Sequence, residues 1–376
     1  MKLSLQIKLL PSQEQQVLLL NTIKEANTAC NRISEIIWNK RVFNQFKVHH
    51  LIYYDIKNTT HLSAQAVVHC ISKVVNAYKL DRKVQRRFKL LGAITYDNRL
   101  LSYNIEKRIA SVWTVGGRQK IPFVCYNTKY LSSIKGEADL LYKNNKFFLL
   151  QTIEVPEEDI KNIKDFIGVD FGIINLATTS TGQFFSGEQV DKIRKRYTKI
   201  RQKLQKCGSP SAKRHLKKLS GKERRFKKNT NHVISKQIVS LAKDTNKGIA
   251  LENLKGFKVT VRHEQREQFG KWSFNELGKF IEYKAKLAGI PVVYVDPKNT
   301  SRTCSNCGHV SKLNRKSQSK FICTHCNSFF NADYNAALNI AAKARAAVNL
   351  PIVVHLNSHT SPSPGTASLQ LSADGR

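Results

Sequence analysis

Acidic residues are few for a chain of this size. In 376 residues, 27 Asp and Glu stand against 63 Lys and Arg, a formal net charge of +36. Such a chain seeks a polyanion, and neutralising phosphates releases their condensed counterions, so strong and salt-sensitive binding to nucleic acid is expected. Long apolar runs are missing too. Nothing approaches the roughly 18 residues of a membrane span, and the basic segments have no clean opposing apolar face, which argues against a membrane partner. Near the N-terminus Gln6, Lys8 and Pro11 interrupt any signal-peptide core, so a cytoplasmic protein is expected. No internal repeat is detectable, and a hydrophobic fraction of 41% is ample for two or three packed domains.

Cysteine is sparse and unevenly placed. Cys30, Cys70, Cys125 and Cys207 are scattered and expected to be reduced, whereas Cys304, Cys307, Cys323 and Cys326 form two C-x2-C pairs separated by fifteen residues. That spacing closes two knuckles on one tetrahedral ion, and four thiolates leave no open coordination position, so one structural Zn2+ is expected. His309 and His325 lie inside the segment as bystanders or phosphate contacts. Arg302, Lys312, Arg315, Lys316 and Lys320 make its surface positive, suited to lie against a nucleic-acid backbone.

Along the chain, Ser12 with Gln15 reads as a capping box behind Pro11. Leu19, Ile23, Ala26, Cys30, Ile33 and Ile37 then recur at helical spacing, as do Val67, Ile71, Val74 and Tyr78, and residues 12 to about 88 read as helical. From Ala93 to Val155 short aromatic and β-branched runs predict a small β domain, with turns at Gly116-Gly117, Lys135-Gly136 and Asn144-Asn145. The N-terminal SLQIKLL reads as its first strand, which would make the helical segment an insertion. Pro156 to Lys164 reads as a linker. FIGVDFG, INLATTS and QFFSG then predict a three-stranded meander, followed by basic helices from about Asp191 to Asn246 broken near Gly208 to Pro210. The strand GIALEN, a helix from about Ser273 and the strand IPVVYV complete the element order of a ribonuclease H fold. NADYNAALNIAAKARAAV predicts a last helix.

The predicted organisation is α/β and multidomain. Residues 1–10 give the first β-domain strand, 11–90 the helical domain, 91–160 the β domain, possibly a barrel, and 161–300 the first two parts of the ribonuclease H-like domain. The ribbon spans 301–330, the final helix 331–350, and the Ser-, Pro- and Gly-rich residues 351–376 a disordered tail.

Three acids sit where those elements end. Asp170 closes the strand in GVDFG, Glu252 closes the strand in IALEN, and Asp333 opens the last helix. Each alone reads as a turn former, a solvated strand end or a helix N-terminal charge. Together, two central strands and a packed helix of this fold converge three carboxylates on one point, and such a cluster needs cations. Two Mg2+ ions, with Mn2+ as a substitute, would activate water and stabilise a pentacovalent phosphate, which is phosphodiester hydrolysis. Asn253, Asn331 and Asn335 stand close enough in sequence to orient water or phosphate, or simply to cap and turn.

The ordered blocks GVDFGIINLAT, ALENLKG, TSRTCSNCGHVSKLNRKSQSKFICTHC and NADYNAALNIA resemble the TnpB (OrfB) proteins of bacterial insertion sequences, relatives of the compact type V CRISPR effectors. The resemblance implies a split RuvC-like nuclease domain with a zinc-ribbon insert, behind a wedge β domain carrying a helical recognition insertion. It implies an RNA-guided DNA endonuclease acting at the bacterial nucleoid, and separately one protein per RNA is expected. A guide RNA from the transposon end would pair with double-stranded DNA beside a transposon-adjacent motif, and a single site would cut both strands. By motif, Asp170, Glu252 and Asp333 are the catalytic carboxylates, the four cysteines bind zinc, and Arg302 within TSRTC touches phosphate near the cut. One departure is Asn327, where the pattern has glycine; asparagine tolerates the same left-handed turn.

Basic residues suit that reading, because guide pairing carries the sequence information and the protein supplies a positive channel. Lys192, Arg194, Lys195, Arg196, Lys199, Arg201, Lys213, Arg214, Lys217, Lys218, Arg224, Arg225, Lys227 and Lys228 form a helical run with Glu223 as its one acid. Arg82, Lys83, Arg86 and Arg87 form a second patch, expected on RNA. Tyr53, Tyr54, Trp38 and Trp113 are core residues or stack on bases. The alternatives are a strand-transfer transposase, a non-cleaving RNA-guided repressor, and a plain basic RNA-binding protein. Presence of all three acids weighs against the last two.

Overall fold

The structure, a computed structural model, describes residues 1–254 and 274–349. It divides into two compact units, Met1–Glu157 and Glu158–Arg376. The tail predicted over 351–376 lies outside the described residues.

In the first unit, β1 (Lys2–Leu9) is followed by α1 (Gln13–Lys40), α2 (Gln45–Thr59) and α3 (Ala64–Leu80). Six strands complete it: β2 (Ile94–Tyr96), β3 (Leu101–Asn104), β4 (Ile109–Thr114), β5 (Gly117–Cys125), β6 (Ile134–Lys143) and β7 (Lys146–Glu154). The sheet order is β2-β6-β7-β1-β5-β4-β3, with β1 antiparallel to both β5 and β7. A four-residue turn links the edge strands β2 and β3, and Trp113 N donates to Leu100 O at 2.8 Å, so the sheet nearly closes on itself. The capping box at Ser12 and Gln15 is formed.

Three expectations need correction. Helix ends at Leu80, not near residue 88, because α1 offers better partners to an extended chain. Asn31 brackets the Phe88 backbone at 2.7 and 2.9 Å, and Asn27 Nδ2 donates to Leu90 O and Gly92 O. Lys135-Gly136 is no turn but an irregularity inside β6, where the register with β7 shifts between Ile134 and Ala138. The helical and β segments are not separate domains either, since Leu19, Ile23 and Ile33 share one core with Ile7, Val112 and Phe123.

The second unit opens with the meander β8 (Phe166–Asp170), β9 (Asn175–Thr179) and β10 (Phe184–Ser186). Helices α4 (Glu188–Cys207) and α5 (Pro210–Asp244) follow, parted where Gly208 takes φ 62° and Ser209 caps a helix with proline in its first turn. Strand β11 (Gly248–Glu252), helix α6 (Phe274–Leu287) and strand β12 (Val292–Val295) come next, then the hairpin β13 (Lys320–Ile322) and β14 (Phe329–Asn331), and α7 (Ala332–Asn349). The five-stranded order is β10-β9-β8-β11-β12, with β11 parallel to β8 and β12.

Strand alternation gives this sheet two different faces. Ile167, Val169, Ile249 and Leu251 enter one core with Ile234 and Ile238 of α5 and Leu277 and Ile281 of α6. Phe166, Ala250 and Val295 face Ile340 and Ala344 of α7. Gly168 lies on the α7 side, where a Cβ would stand 2.0 Å from Ala337 O and 2.5 Å from Ala341 N. Glycine here is a requirement of close helix-to-strand approach.

Candidate active site and metal centre

The same alternation brings the acids together. Val169 pairs with Leu251, so Asp170 and Glu252 occupy the next, adjacent positions of two parallel strands, on the face that carries Gly168 and Ala250. Helix α7 crosses that face with Ala337 on Gly168, and Asp333 lies one turn toward its N-terminus. Asn331 fixes that helix start by accepting from Asp333 N at 3.0 Å and Tyr334 N at 3.2 Å. The pattern apolar-apolar-small-apolar-acid, shared by FIGVD and GIALE, is thus a device that seats a helix and presents an acid beside its start.

Asp170 is half-buried at the end of β8. Burial pushes its carboxyl well above the usual range, and the charges of Glu252 and Asp333 push the same way, while Arg315 and the Phe171 backbone N–H pull back. Burial also raises Glu252, opposed by the Thr300 hydroxyl, which donates to Glu252 Oε1 at 2.6 Å. Asp333, 7% exposed, accepts from Asn175 Nδ2 at 2.9 Å and pairs with Arg315 at 3.8 Å. Three hard oxygen donors suit Mg2+ or Mn2+ and not a thiophilic ion.

The four cysteine sulfurs gather within 4.8 Å of one another, the only such group among the described residues. Cys304 to Cys326 is 3.7 Å and Cys307 to Cys323 is 3.5 Å. A tetrahedron with zinc–sulfur bonds of about 2.3 Å has edges of roughly 3.8 Å, so the cluster could hold a metal such as zinc. Gly308 and Asn327 follow the second cysteine of each knuckle with φ of 76° and 57°, and asparagine does make the left-handed turn.

Buried amides fasten this ribbon to α7. Asn335 Nδ2 and Asn339 Nδ2 donate to Thr303 O at 2.8 and 2.7 Å, and Ser305 N donates to Asn335 Oδ1 at 3.0 Å. Asn335 is fully buried and its amide is committed to the ribbon backbone, which corrects the reading of it as a water or phosphate ligand. Asn331 is spent as a helix cap.

Arg302 is exposed, and among the described residues its guanidinium has no ion-pair partner. Arg315 is the ribbon arginine that reaches the carboxylates. Its sequence signal was only that of one more surface cation, because the fold-back of the ribbon toward Asp333 has no local signature. Thr300 and Asn175 were missed for the same reason.

The basic run divides into two kinds. Arg194 is held on Asp191 at 2.6 Å, Arg201 and Lys227 meet Glu223, and Lys192 and Lys195 pair with Glu188 and Asp191. Arg196, Lys199, Lys213, Arg214, Lys217, Lys218, Arg224, Arg225 and Lys228 are exposed without an ion pair among the described residues. Arg86 is tied to Asp81 at 2.8 Å, whereas Lys83 and Arg87 are exposed. Trp38, Tyr53 and Trp113 pack against the core, and Tyr54 is exposed.

The profile of a family described as "Probable transposase" matches residues 150–255, and one described as "Cas12f1-like, TNB domain" matches residues 274–340. A TnpB-like protein of Methanocaldococcus jannaschii is 34% identical over 211 residues, which are 52% of this chain and 75% of that protein. The chain belongs to the TnpB-like family. It is also 34% identical to the CRISPR-associated endodeoxyribonuclease Cas12f2 of a Micrarchaeota archaeon, over 53% of this chain and 40% of that one. To the putative RNA-guided DNA endonuclease InsQ of Escherichia coli it is 25% identical over 58% of this chain and 59% of that one. The matched region thus spans about half of these two nucleases. A solved Cas12f1 in complex with sgRNA and target DNA shares the fold, with a TM-score of 0.62, 17% identity, and coverage of 88% of this chain and 83% of that one. No helix among the described residues is long and apolar enough to cross a membrane.

Proposed function

We propose that this TnpB-like chain is an RNA-guided DNA endonuclease, using a guide RNA from the transposon end to cut double-stranded DNA beside a short adjacent motif. The observation that carries the reading is that Asp170 and Glu252 share one face of the sheet, while α7, which crosses that face, brings Asp333 near enough for its charge to raise the Asp170 carboxyl. The sheet order, three antiparallel strands followed by two parallel ones, supports a RuvC-like, ribonuclease H-type domain. The activities named for the Cas12f2 and InsQ relatives support the reaction class.

Asp170, Glu252 and Asp333 are the residues that would hold divalent cations, two Mg2+ by preference. Bound there, such ions supply an activated water and offset charge at the phosphate. The chain's own groups orient the site: Thr300 fixes Glu252, Asn175 fixes Asp333, and Arg315 brings a positive charge beside the carboxylates. The four cysteines would hold a structural Zn2+, which would fasten the segment that carries Arg315. One protein acts with one RNA.

The test is cleavage of a plasmid library with randomised flanks, by protein purified with its RNA, in magnesium, beside Asp170→Ala. Cutting that follows the guide, needs a fixed flank and disappears in the variant is the expected result. Specific RNA bound without any cutting would give way to a guided-binder reading. No specific RNA at all would return the chain to strand transfer or general RNA binding.

A further inference from the structure

The turn between α1 and α2 and the residues at the C-terminal end of α3 line an open cavity of about 480 Å3. Its wall carries three cations, Arg41, Lys79 and Arg82, and two rings, Phe43 and Phe46, but no carboxylate. Among the described residues, none of these cations has an ion-pair partner. Rings position two of them instead. The Arg41 guanidinium lies 3.9 Å from the centre of the Trp38 ring, and that of Arg82 lies 5.4 Å from the centre of Phe43. Stacking on a ring fixes a guanidinium without cancelling its charge, so an anion entering the cavity meets it undiminished. Arg86 is the contrast, neutralised by Asp81.

Phe46 stands in the first turn of α2, where its backbone N–H donates to Asn44 Oδ1, and its ring is 78% exposed. His50 and Tyr54 follow at four-residue spacing on the same helix face, both exposed. A row of open rings beside unpaired cations matches the chemistry of a base attached to a phosphate. The volume falls in the range of small-ligand sites and has no room for a duplex.

We propose that this cavity takes one unpaired nucleotide of a single nucleic-acid strand, its base on Phe46 and its phosphate among Arg41, Lys79 and Arg82. RNA and DNA share that chemistry, and the experiment separates them. The site is independent of the nuclease carboxylates and stands whether or not the chain cuts DNA.

The full chain is titrated, without magnesium, with fluorescein-labelled 12-residue single strands of RNA and of DNA and with a duplex of the same sequence. Phe46→Ala removes an exposed ring, leaves the core and net charge intact, and is checked for folding by circular dichroism. It is expected to weaken single-strand binding about tenfold in the RNA arm, the DNA arm or both, with little effect on the duplex. The slope of affinity against salt stays as in the wild type. Arg41→Gln with Arg82→Gln lowers that slope by about 1.4 for single strands. Photocrosslinking of a strand carrying 5-iodouracil, mapped by mass spectrometry, is expected within residues 41–46. Unchanged affinity of Phe46→Ala for both single strands, an equal loss on the duplex, or crosslinks only elsewhere would overturn the proposal and leave the nuclease reading as it stood.

Discussion

At the residue scale, the arrangement depends on one missing side chain. Gly168 lets α7 touch β8, and a Cβ there would stand 2.0 Å from backbone that cannot rotate away. Gly168→Ala must lift the helix that carries Asp333. Overpacking of this kind costs about 1–3 kcal/mol or more, so the urea midpoint should fall clearly and DNA cleavage should be lost with it. Arg315→Ala separates chemistry from stability. Arg315 is partly exposed and its charge opposes the upward shift of Asp170, so the variant should fold normally and retain RNA while its cleavage rate falls about a hundredfold. Cleavage at the wild-type rate would remove Arg315 from the site.

At the element scale, the three segments that end in the acids are also tied together at their opposite ends. Asp165, just before β8, meets Lys247, just before β11, at 2.7 Å and Arg345 of α7 at 2.9 Å. The hydrogen bond from Lys247, aided by Arg345 and the Phe166 N–H, holds the Asp165 carboxyl at about 2, below its ordinary 3.8. A depressed folded pKa means that the unfolded chain takes up the proton first on acidification. The contribution is therefore complete above pH 3.8 and lost as pH falls through 2. Asp165→Asn should lower the urea midpoint at pH 6, and the deficit should shrink steadily between pH 4 and pH 2. A deficit that ignores pH would mean that the carboxylate charge plays no part.

Much of this layer was legible in the sequence. The meander from FIGVDFG to QFFSG, the break at Gly208 to Pro210 and the cysteine knuckles follow from local rules of alternation, capping and ligand spacing. Residues 81–93 did not, because their backbone is satisfied by Asn27 and Asn31 more than fifty positions earlier. Lys135-Gly136 resembles a turn locally, yet β6 continues through it because pairing with β7 resumes at Ala138. The ribbon's tie to α7 through Asn335 and Asn339 is likewise long-range. It carries its own expectation: Cys323→Ser, at a fully buried ligand position, should abolish retention of zinc as measured by elemental analysis and lower the cleavage rate through the loosened Arg315.

At the scale of the whole molecule, charge is the dominant property, and the structure sorts it. Acids hold Arg194, Arg201 and Arg86 as parts of the architecture, while exposed cations of the α4–α5 pair such as Lys213, Arg214, Lys217 and Lys218 have no ion-pair partner among the described residues. The two sets should behave differently toward a polyanion. Replacing Lys213, Arg214, Lys217 and Lys218 together by Gln should lower the slope of duplex binding against salt by as much as about 3.6, with sequence-independent weakening and an unchanged melting temperature. Arg201→Gln instead removes a partner of Glu223 within the helix pair, so its effect should fall first on stability and only slightly on the salt slope. Equal slopes and equal stabilities in the two variants would show that net charge acts as a diffuse whole. A clean separation would assign nucleic-acid contact to the cations that the fold leaves unpaired.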